Sequence, residues 1–149
     1  MSYWDTACLI KLHVAESDSG VFRRHAEECG DVAVSAEFAR LEFFVAVRRK
    51  EAGGEIGHGF AERYVALLDD EIHAGTCRLI SVDDAVRASF EDVVKLCYSQ
   101  TPPIFIRTLD ALHIAAARVA GENEIVATDK RLRDAATLLG FRLFPTPTP

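Results

Sequence analysis

Residues 125–144 read IVATDKRLRDAATLLGFRLF, and the order of elements in this segment indicates the fold class. Two short apolar runs, at residues 125–127 and 141–144, have the composition of strands. Between them, residues 130–139 have the spacing of a helix that Gly140 ends. A helix that connects two strands returns the second strand parallel to the first. The stretch therefore predicts a strand–helix–strand unit within a parallel sheet.

The same alternation of strands and helices continues through the rest of the chain. Further strands are predicted at residues 2–4, 32–34 and 78–82, and helices at residues 6–14, 20–28, 36–51, 58–73, 84–96 and 109–120. Ser35 and Thr108 are typical helix N-caps, and Gly121 is a typical helix end. We therefore expect an α/β fold, a three-layer sandwich in which a short, mainly parallel sheet is flanked by helices. Residues 1–144 would form a single domain, and residues 145–149, Pro-Thr-Pro-Thr-Pro, a frayed tail.

Composition narrows the function classes. The 149 residues are 49% apolar and 27% charged, which excludes a disordered chain. The 17 basic and 23 acidic residues give a net charge of −6, which argues against nucleic-acid binding through overall charge. No apolar run approaches the ~20 residues of a membrane span, and no signal peptide is visible, so we expect a cytoplasmic protein with no membrane partner. The four cysteines form no CxxC pair and are expected to be small buried hydrophobic residues rather than disulfides.

Three acidic residues stand where predicted helices begin. Asp5 and Asp129 each follow a predicted strand, where an aspartate is most often an N-cap. Asp110 lies in the first turn of its helix, where the helix dipole favours a carboxylate. Taken singly, each of the three has a sufficient structural explanation.

Glu42 has no such explanation, since it lies well inside its predicted helix. The 3.6-residue period places Phe38, Leu41, Phe44 and Val45 on one apolar side, with Glu42 at its flank. A half-buried carboxylate needs a cation or a hydrogen-bond donor. An ion pair with Arg49, two turns further on, is one explanation, and a metal ion is the other.

The predicted topology brings these four residues to one edge of the sheet. Ligands of open parallel sheets bind beyond the carboxyl ends of the strands, where Asp5 and Asp129 emerge. Several neighbouring carboxylates raise one another's pKa unless a cation joins them. Oxygen ligands of this kind select Mg²⁺ or Mn²⁺, ions that promote phosphodiester cleavage.

Four segments of the chain resemble, in order and spacing, the PIN-domain ribonucleases, and in particular the VapC-type toxins of bacterial toxin–antitoxin pairs. They are YWDTA at residues 3–7, SAEFARLE at 35–42, RTLDALHIAAA at 107–117 and VATDKRL at 126–132. The resemblance spans the whole chain apart from the Pro-Thr tail. It implies a PIN-like fold, cleavage of RNA, homodimers, and inhibition by a small protein antitoxin that covers the active groove.

The resemblance also assigns the site. It implies that Asp5, Glu42, Asp110 and Asp129 hold one or two Mg²⁺ or Mn²⁺ ions and activate a water. Thr6 and Thr128, next to acidic residues, would orient the carboxylates or a water.

Basic residues near these motifs have more than one interpretation. Arg48 and Arg49 follow Glu42 and could bind RNA phosphates, although such runs are usually solvated. Arg107 could also bind a phosphate, or it could pair with a neighbouring carboxylate. His113, one turn after Asp110, is more often a hydrogen-bonded helix histidine than a catalytic group.

Two alternatives to a toxin stay open at this point. One is a stand-alone RNA-processing nuclease of the same fold. The other is a non-catalytic α/β regulatory module whose carboxylates serve only as caps and ion pairs.

Overall fold

The computed structural model describes residues 1–30 and 32–147, so Asp31 and the last two residues of the predicted tail lie outside the described part. Five strands form one parallel sheet in the order β3-β2-β1-β4-β5: β1 (Ser2–Trp4), β2 (Ala33–Ala36), β3 (Cys77–Ile80), β4 (Glu124–Val126) and β5 (Arg142–Phe144). The helices are α1 (Thr6–His13), α2 (Ser19–Cys29), α3 (Ala39–Ala52), α4 (Phe60–Ala74), α5 (Asp84–Tyr98), α6 (Thr108–Val119) and α7 (Lys130–Leu138). The predicted α/β class with a parallel sheet is confirmed.

The sheet separates two hydrophobic cores. Successive strand residues point to opposite faces, so Tyr3 packs with α5, α6 and α7, whereas Trp4 packs with α1 to α4. Ile125 and Val126 of β4 divide between the two cores in the same way. Each face of the sheet is therefore covered by helices, which gives the three predicted layers.

The strand order reverses between β1 and β4. From β1 the chain adds β2 and β3 on one side, then returns to place β4 and β5 on the other. Trp4 pairs with Val126, and the next amide, that of Asp5, donates to the Val126 carbonyl at 3.0 Å. The carboxyl ends of β1 and β4 thus lie side by side at the switch point, the usual ligand-binding position of such sheets.

The start of helix α3 differs from the prediction, and so does the role of Ser35. The helix begins at Ala39 rather than residue 36, because Ser35 is not a cap but part of β2, where its hydroxyl donates to the Trp4 carbonyl at 2.7 Å. Glu42 consequently lies in the first turn of the helix, not far inside it.

The buried face of α3 is also not the predicted one. Ala39, Phe43 and Val47, at four-residue spacing, are fully buried, while Leu41 and Val45 are 65% and 53% exposed. Two apolar stripes run along this helix, and the period alone does not say which one faces the sheet. The exposed stripe lies beside Glu42.

The remaining termini and spans agree closely with expectation. Gly121 and Gly140 follow the ends of α6 and α7 in the left-handed conformation, at φ of +73° and +82°. Thr108 is the first residue of α6, so the N-cap position belongs to Arg107, one residue earlier than predicted. None of the helices in the described ranges has both the length and the apolar composition needed to cross a membrane.

The cysteines carry free thiols, and they are not all alike. Cys8, Cys77 and Cys97 are buried, as predicted. Cys29, at the end of α2, is only partly buried and lies 3.7 Å from the Nε2 atom of His25.

Candidate active site

Asp5 and Asp129 occupy equivalent positions after the two central strands. Asp5 caps α1, where its Oδ1 accepts from the amide of Cys8 at 2.7 Å. Asp129 caps α7, where its Oδ1 accepts from the amides of Arg131 and Leu132 at 2.9 and 3.1 Å. The predicted caps are confirmed, and each one uses Oδ1, so that Oδ2 of each carboxyl takes no part in capping.

Arg107 links two of the four acidic residues. Its Nε atom donates to Asp110 Oδ2 at 2.8 Å, and its Nη2 atom donates to Asp129 Oδ2 at 3.1 Å. Asp110 is nearly buried in the first turn of α6, whereas the Arg107 side chain is 57% exposed. The guanidinium therefore neutralises two carboxylates while one side of it faces solvent.

Glu42 is held by two donors from other elements, and neither is Arg49. The Thr6 hydroxyl donates to Glu42 Oε1 at 2.6 Å, and His113 Nε2 lies 3.0 Å from the same oxygen. The other ring nitrogen of His113 contacts the Tyr3 hydroxyl at 2.8 Å. His113 is buried and joins the core of the sheet to Glu42, so it is the hydrogen-bonded helix histidine that the sequence favoured, with a site residue as its partner.

The environment shifts the pKa values of two of these carboxyls in opposite directions. Burial raises the pKa of Asp5, although the Cys8 amide and His113 oppose the shift, and the nearby Glu42 charge adds to it. Burial also acts to raise the pKa of Glu42, but the bonds from His113 and Thr6 outweigh it and leave that pKa lowered. Asp5 is therefore a buried carboxylate whose negative charge the protein compensates only in part.

The four predicted site residues thus lie at one edge of the sheet, within one network. Arg107 bridges Asp110 and Asp129 and lines one hollow with Glu42, and Glu42 accepts from Thr6, which follows Asp5 in the sequence. Over residues 1–30 and 32–147, however, no three of their oxygens lie within 4.8 Å of one another. The Arg107 guanidinium takes the place between Asp110 and Asp129 that a cation would need.

The other predicted site residues divide between this network and its surroundings. Thr6 donates to Glu42, whereas among the described residues no hydrogen bond joins the Thr128 side chain to any of the four carboxylates. Arg48 pairs with Glu51 at 3.7 Å and lies over an exposed phenylalanine ring, so it faces away from the carboxylates. Arg49 lines a surface hollow that Glu42 also lines.

Two hollows meet at Glu42. One, of about 340 Å³, is lined by Glu42, Arg107, Thr108, Leu109 and Asp110. The other, of about 460 Å³, lies between α1 and α3 and includes Ile10, Leu41 and Val45. The first is lined mainly by charged and hydroxyl-bearing residues, and the second is largely apolar.

We expect His113 to act as a positioning residue for Glu42. His113→Leu removes both hydrogen bonds at similar volume and should reduce any activity of this site about tenfold, the scale known for groups that orient ligands. Because the pKa of Glu42 is lowered by His113, the acidic limb of the pH–rate profile should move to higher pH. A merely structural role would leave that limb in place.

His113→Gln is the matched control, since its amide can still donate to Glu42. This variant should keep most of the activity and the original acidic limb. Equal losses and unshifted profiles in both variants would contradict the positioning role.

The chain is 31% identical over 141 residues to Ribonuclease VapC46 of Mycobacterium tuberculosis (strain ATCC 25618 / H37Rv), an alignment that covers 93% of the chain and 92% of the relative. No family model matches the chain.

Proposed function

Because the chain belongs to the VapC ribonucleases, we propose that it is a metal-dependent endoribonuclease and the toxin of a toxin–antitoxin pair. Family membership confirms the resemblance to the VapC-type toxins. The observation that carries the metal-dependent activity is the placement of Asp5, Glu42, Asp110 and Asp129 in one network beyond the carboxyl ends of β1 and β4.

The donor set fits a hard dication. All four groups are carboxylates, the ligands that favour Mg²⁺ and Mn²⁺ over zinc or copper. Asp5 is 5% exposed, and its raised pKa marks a negative charge that the fold does not neutralise. A dication held by Asp5, Asp110 and Asp129, with Glu42 beside them, would supply that compensation.

The chain's own residues then have separable roles. Thr6 and His113 hold Glu42 ionised and fix its carboxylate where the two hollows meet. Arg107, which is exposed on one side, can exchange a carboxylate partner for an RNA phosphate. When bound, Mg²⁺ or Mn²⁺ supplies Lewis-acid polarisation of the phosphodiester and lowers the pKa of a water.

The net charge is compatible with an RNA substrate once the site is considered. Removing the four carboxylates from the 23 acidic residues leaves 19 against 17 basic residues, a net of −2. Arg49 and Arg107 each line a hollow that contains Glu42. We propose that these two bind RNA phosphates, with Arg48 contributing only at long range.

The apolar hollow between α1 and α3 suits the antitoxin. Leu41 and Val45 are exposed there beside Ile10, next to Glu42. An antitoxin segment with apolar side chains could cover this surface and block the carboxylates at the same time. We further propose that the protein acts in the cytoplasm as a homodimer.

The metal requirement gives the direct test. Purified protein should cleave single-stranded RNA with millimolar Mg²⁺ or Mn²⁺, and excess EDTA should abolish cleavage until the metal is restored. Cleavage that continues at full rate in EDTA would contradict metal dependence. If no RNA is cleaved under any metal condition, the non-catalytic module is favoured instead.

Growth separates a toxin from a stand-alone RNA-processing nuclease. Induced expression of an active toxin without its antitoxin should arrest bacterial growth, and an inactive variant made to the same level should not. Normal growth with the active protein would favour the processing role.

A further inference from the structure

A second cluster of metal-ligating side chains lies at the opposite edge of the sheet. His25 and Cys29 belong to the last two turns of α2, and Glu124 is the first residue of β4. Asp5 lies three residues after Ser2, and Asp129 lies five residues after Glu124. Because a strand rises about 3.3 Å per residue, roughly 10 Å of strand separates this cluster from the carboxylates. No residue of this cluster belongs to the proposed nuclease site.

The three ligand atoms already face one another. His25 Nε2 lies 2.8 Å from Glu124 Oε1 and 3.7 Å from Cys29 Sγ, and the three atoms all lie within 4.8 Å of one another. Among residues 1–30 and 32–147 this is the one group of three such side chains at that spacing. In a tetrahedral zinc site the ligand atoms are about 3.3–3.6 Å apart, so the His25–Glu124 contact must open by about 0.5 Å, while the His25–Cys29 distance is already close to that range.

The surroundings orient the ligands as a metal site requires. The Ser2 hydroxyl donates to Glu124 Oε1 at 2.6 Å, and His25 stacks on the Phe144 ring with centroids 3.7 Å apart and planes at 7°. The side chains of His25 and Glu124 are only 13% and 14% exposed. Such partners fix ring and carboxylate orientation in known metal sites.

The contacts also exclude a catalytic thiol–imidazole–carboxylate triad. In such a triad the base uses one ring nitrogen toward the nucleophile and the other toward the carboxylate. Here Cys29 and Glu124 both approach Nε2 of His25. One ring nitrogen facing a sulfur and an oxygen is instead the arrangement of ligands around a shared ion.

We propose that His25, Cys29 and Glu124 bind one Zn²⁺ ion, which joins the carboxyl end of α2 to the amino edge of β1 and β4. A thiolate and an imidazole select zinc over Mg²⁺, and the two negative charges of Cys29 and Glu124 balance the ion. Three protein ligands leave the fourth position for a water or a small ligand. Cys29 also lines a cavity of about 200 Å³ that includes Ser2 and Trp4, from which that ligand could enter.

Cobalt substitution tests the site by a readout that does not depend on nuclease activity. Co²⁺ added to the metal-free protein should give the near-ultraviolet charge-transfer absorption of a thiolate ligand, with the intensity of one thiolate-bound ion per chain. Cys29→Ser should abolish this band, whereas Cys97→Ala, at a buried cysteine of α5, should retain it. Asp5→Asn should retain it as well, because the carboxylate site contains no sulfur ligand.

Glu124→Gln provides the second variant, since its amide can still accept from Ser2 and should preserve the fold. It should weaken Co²⁺ binding at least tenfold, and Zn²⁺ should raise the melting temperature of the wild type by several degrees more than that of this variant. Absence of the band with excess Co²⁺ in the wild type, or its persistence in Cys29→Ser, would overturn the proposal. Unchanged affinity in Glu124→Gln would remove Glu124 from the ligand set and overturn the three-residue site.

Discussion

Asp5→Asn should abolish RNA cleavage while leaving the protein at least as stable as the wild type. The amide is a poor metal ligand, so we expect cleavage with Mn²⁺ to fall at least about 100-fold, beyond the loss seen for groups that only orient a ligand. Asparagine caps helices as well as aspartate does, so the bond from the Cys8 amide is kept. Expression of this variant without antitoxin should no longer arrest growth.

The stability half of this prediction follows from the sign of the pKa shift. Burial raises the pKa of Asp5 above its value in the unfolded chain. The stability that its protonated form contributes is therefore fully present below the unfolded pKa and is lost as the pH rises through the folded pKa. At pH 7 the metal-free wild-type protein has therefore lost this stabilisation. Asp5→Asn has not, because its side chain is neutral at every pH.

Two controls make the result specific. Asp5→Ala removes the cap as well as the charge, so its free energy of unfolding should be about 1 kcal/mol lower than that of Asp5→Asn. Asp134→Asn changes an exposed aspartate of α7 that pairs with Lys130 at 2.6 Å, and it should cleave RNA within about twofold of the wild type. Wild-type cleavage by Asp5→Asn would remove Asp5 from the site.

Phe43→Ala should destabilise the fold far more than loss of the Asp5 cap does. Phe43 is fully buried in the core between α3 and the sheet and packs against the His13 ring in a T-shaped arrangement. Truncation of a buried phenylalanine costs about 3–5 kcal/mol of unfolding free energy. Urea unfolding followed by circular dichroism measures this cost directly.

Its neighbour Phe44 is the matched control. Phe44 is 39% exposed and lies beneath Arg40 and Arg48, with guanidinium-to-ring distances of 5.8 and 5.3 Å. Phe44→Ala should therefore cost less than about 1 kcal/mol. Similar costs for the two variants, or a larger cost for Phe44, would contradict the observed orientation of α3.

The strand–helix pattern could be predicted because it is local. The strands are short, mainly apolar runs, and several helix ends carry their own signal, such as Gly140 after α7. The caps made by Asp5 and Asp129 follow from the same local chemistry. Parallel pairing then places both aspartates at one edge, whatever the details of packing.

The partners of Glu42 could not be predicted, because they depend on packing between distant segments. His113 is 71 residues away in sequence, and α3 offers two apolar stripes between which the period does not choose. Arg49 is the cation two turns along the same side of the helix, but the observed partners, Thr6 and His113, belong to helices that cover opposite faces of the sheet. Glu42 is thus a site residue whose surroundings only the tertiary structure defines.

The cluster of His25, Cys29 and Glu124 could not be predicted from the sequence for a related reason. The spacing of His25 and Cys29, four residues apart on one helix, is a local signal that a search for paired cysteines or paired histidines overlooks. The third member, Glu124, lies 99 residues from His25 and joins it only through the pairing of β1 with β4.

The most direct test of the nuclease site is the position of bound Mn²⁺ in the anomalous-difference map of crystals grown with the ion. We expect one or two peaks among Asp5, Glu42, Asp110 and Asp129, with Arg107 displaced from between Asp110 and Asp129. Saturating Mn²⁺ that gives no peak at these four carboxylates, or a peak bound only by other residues, would contradict the account.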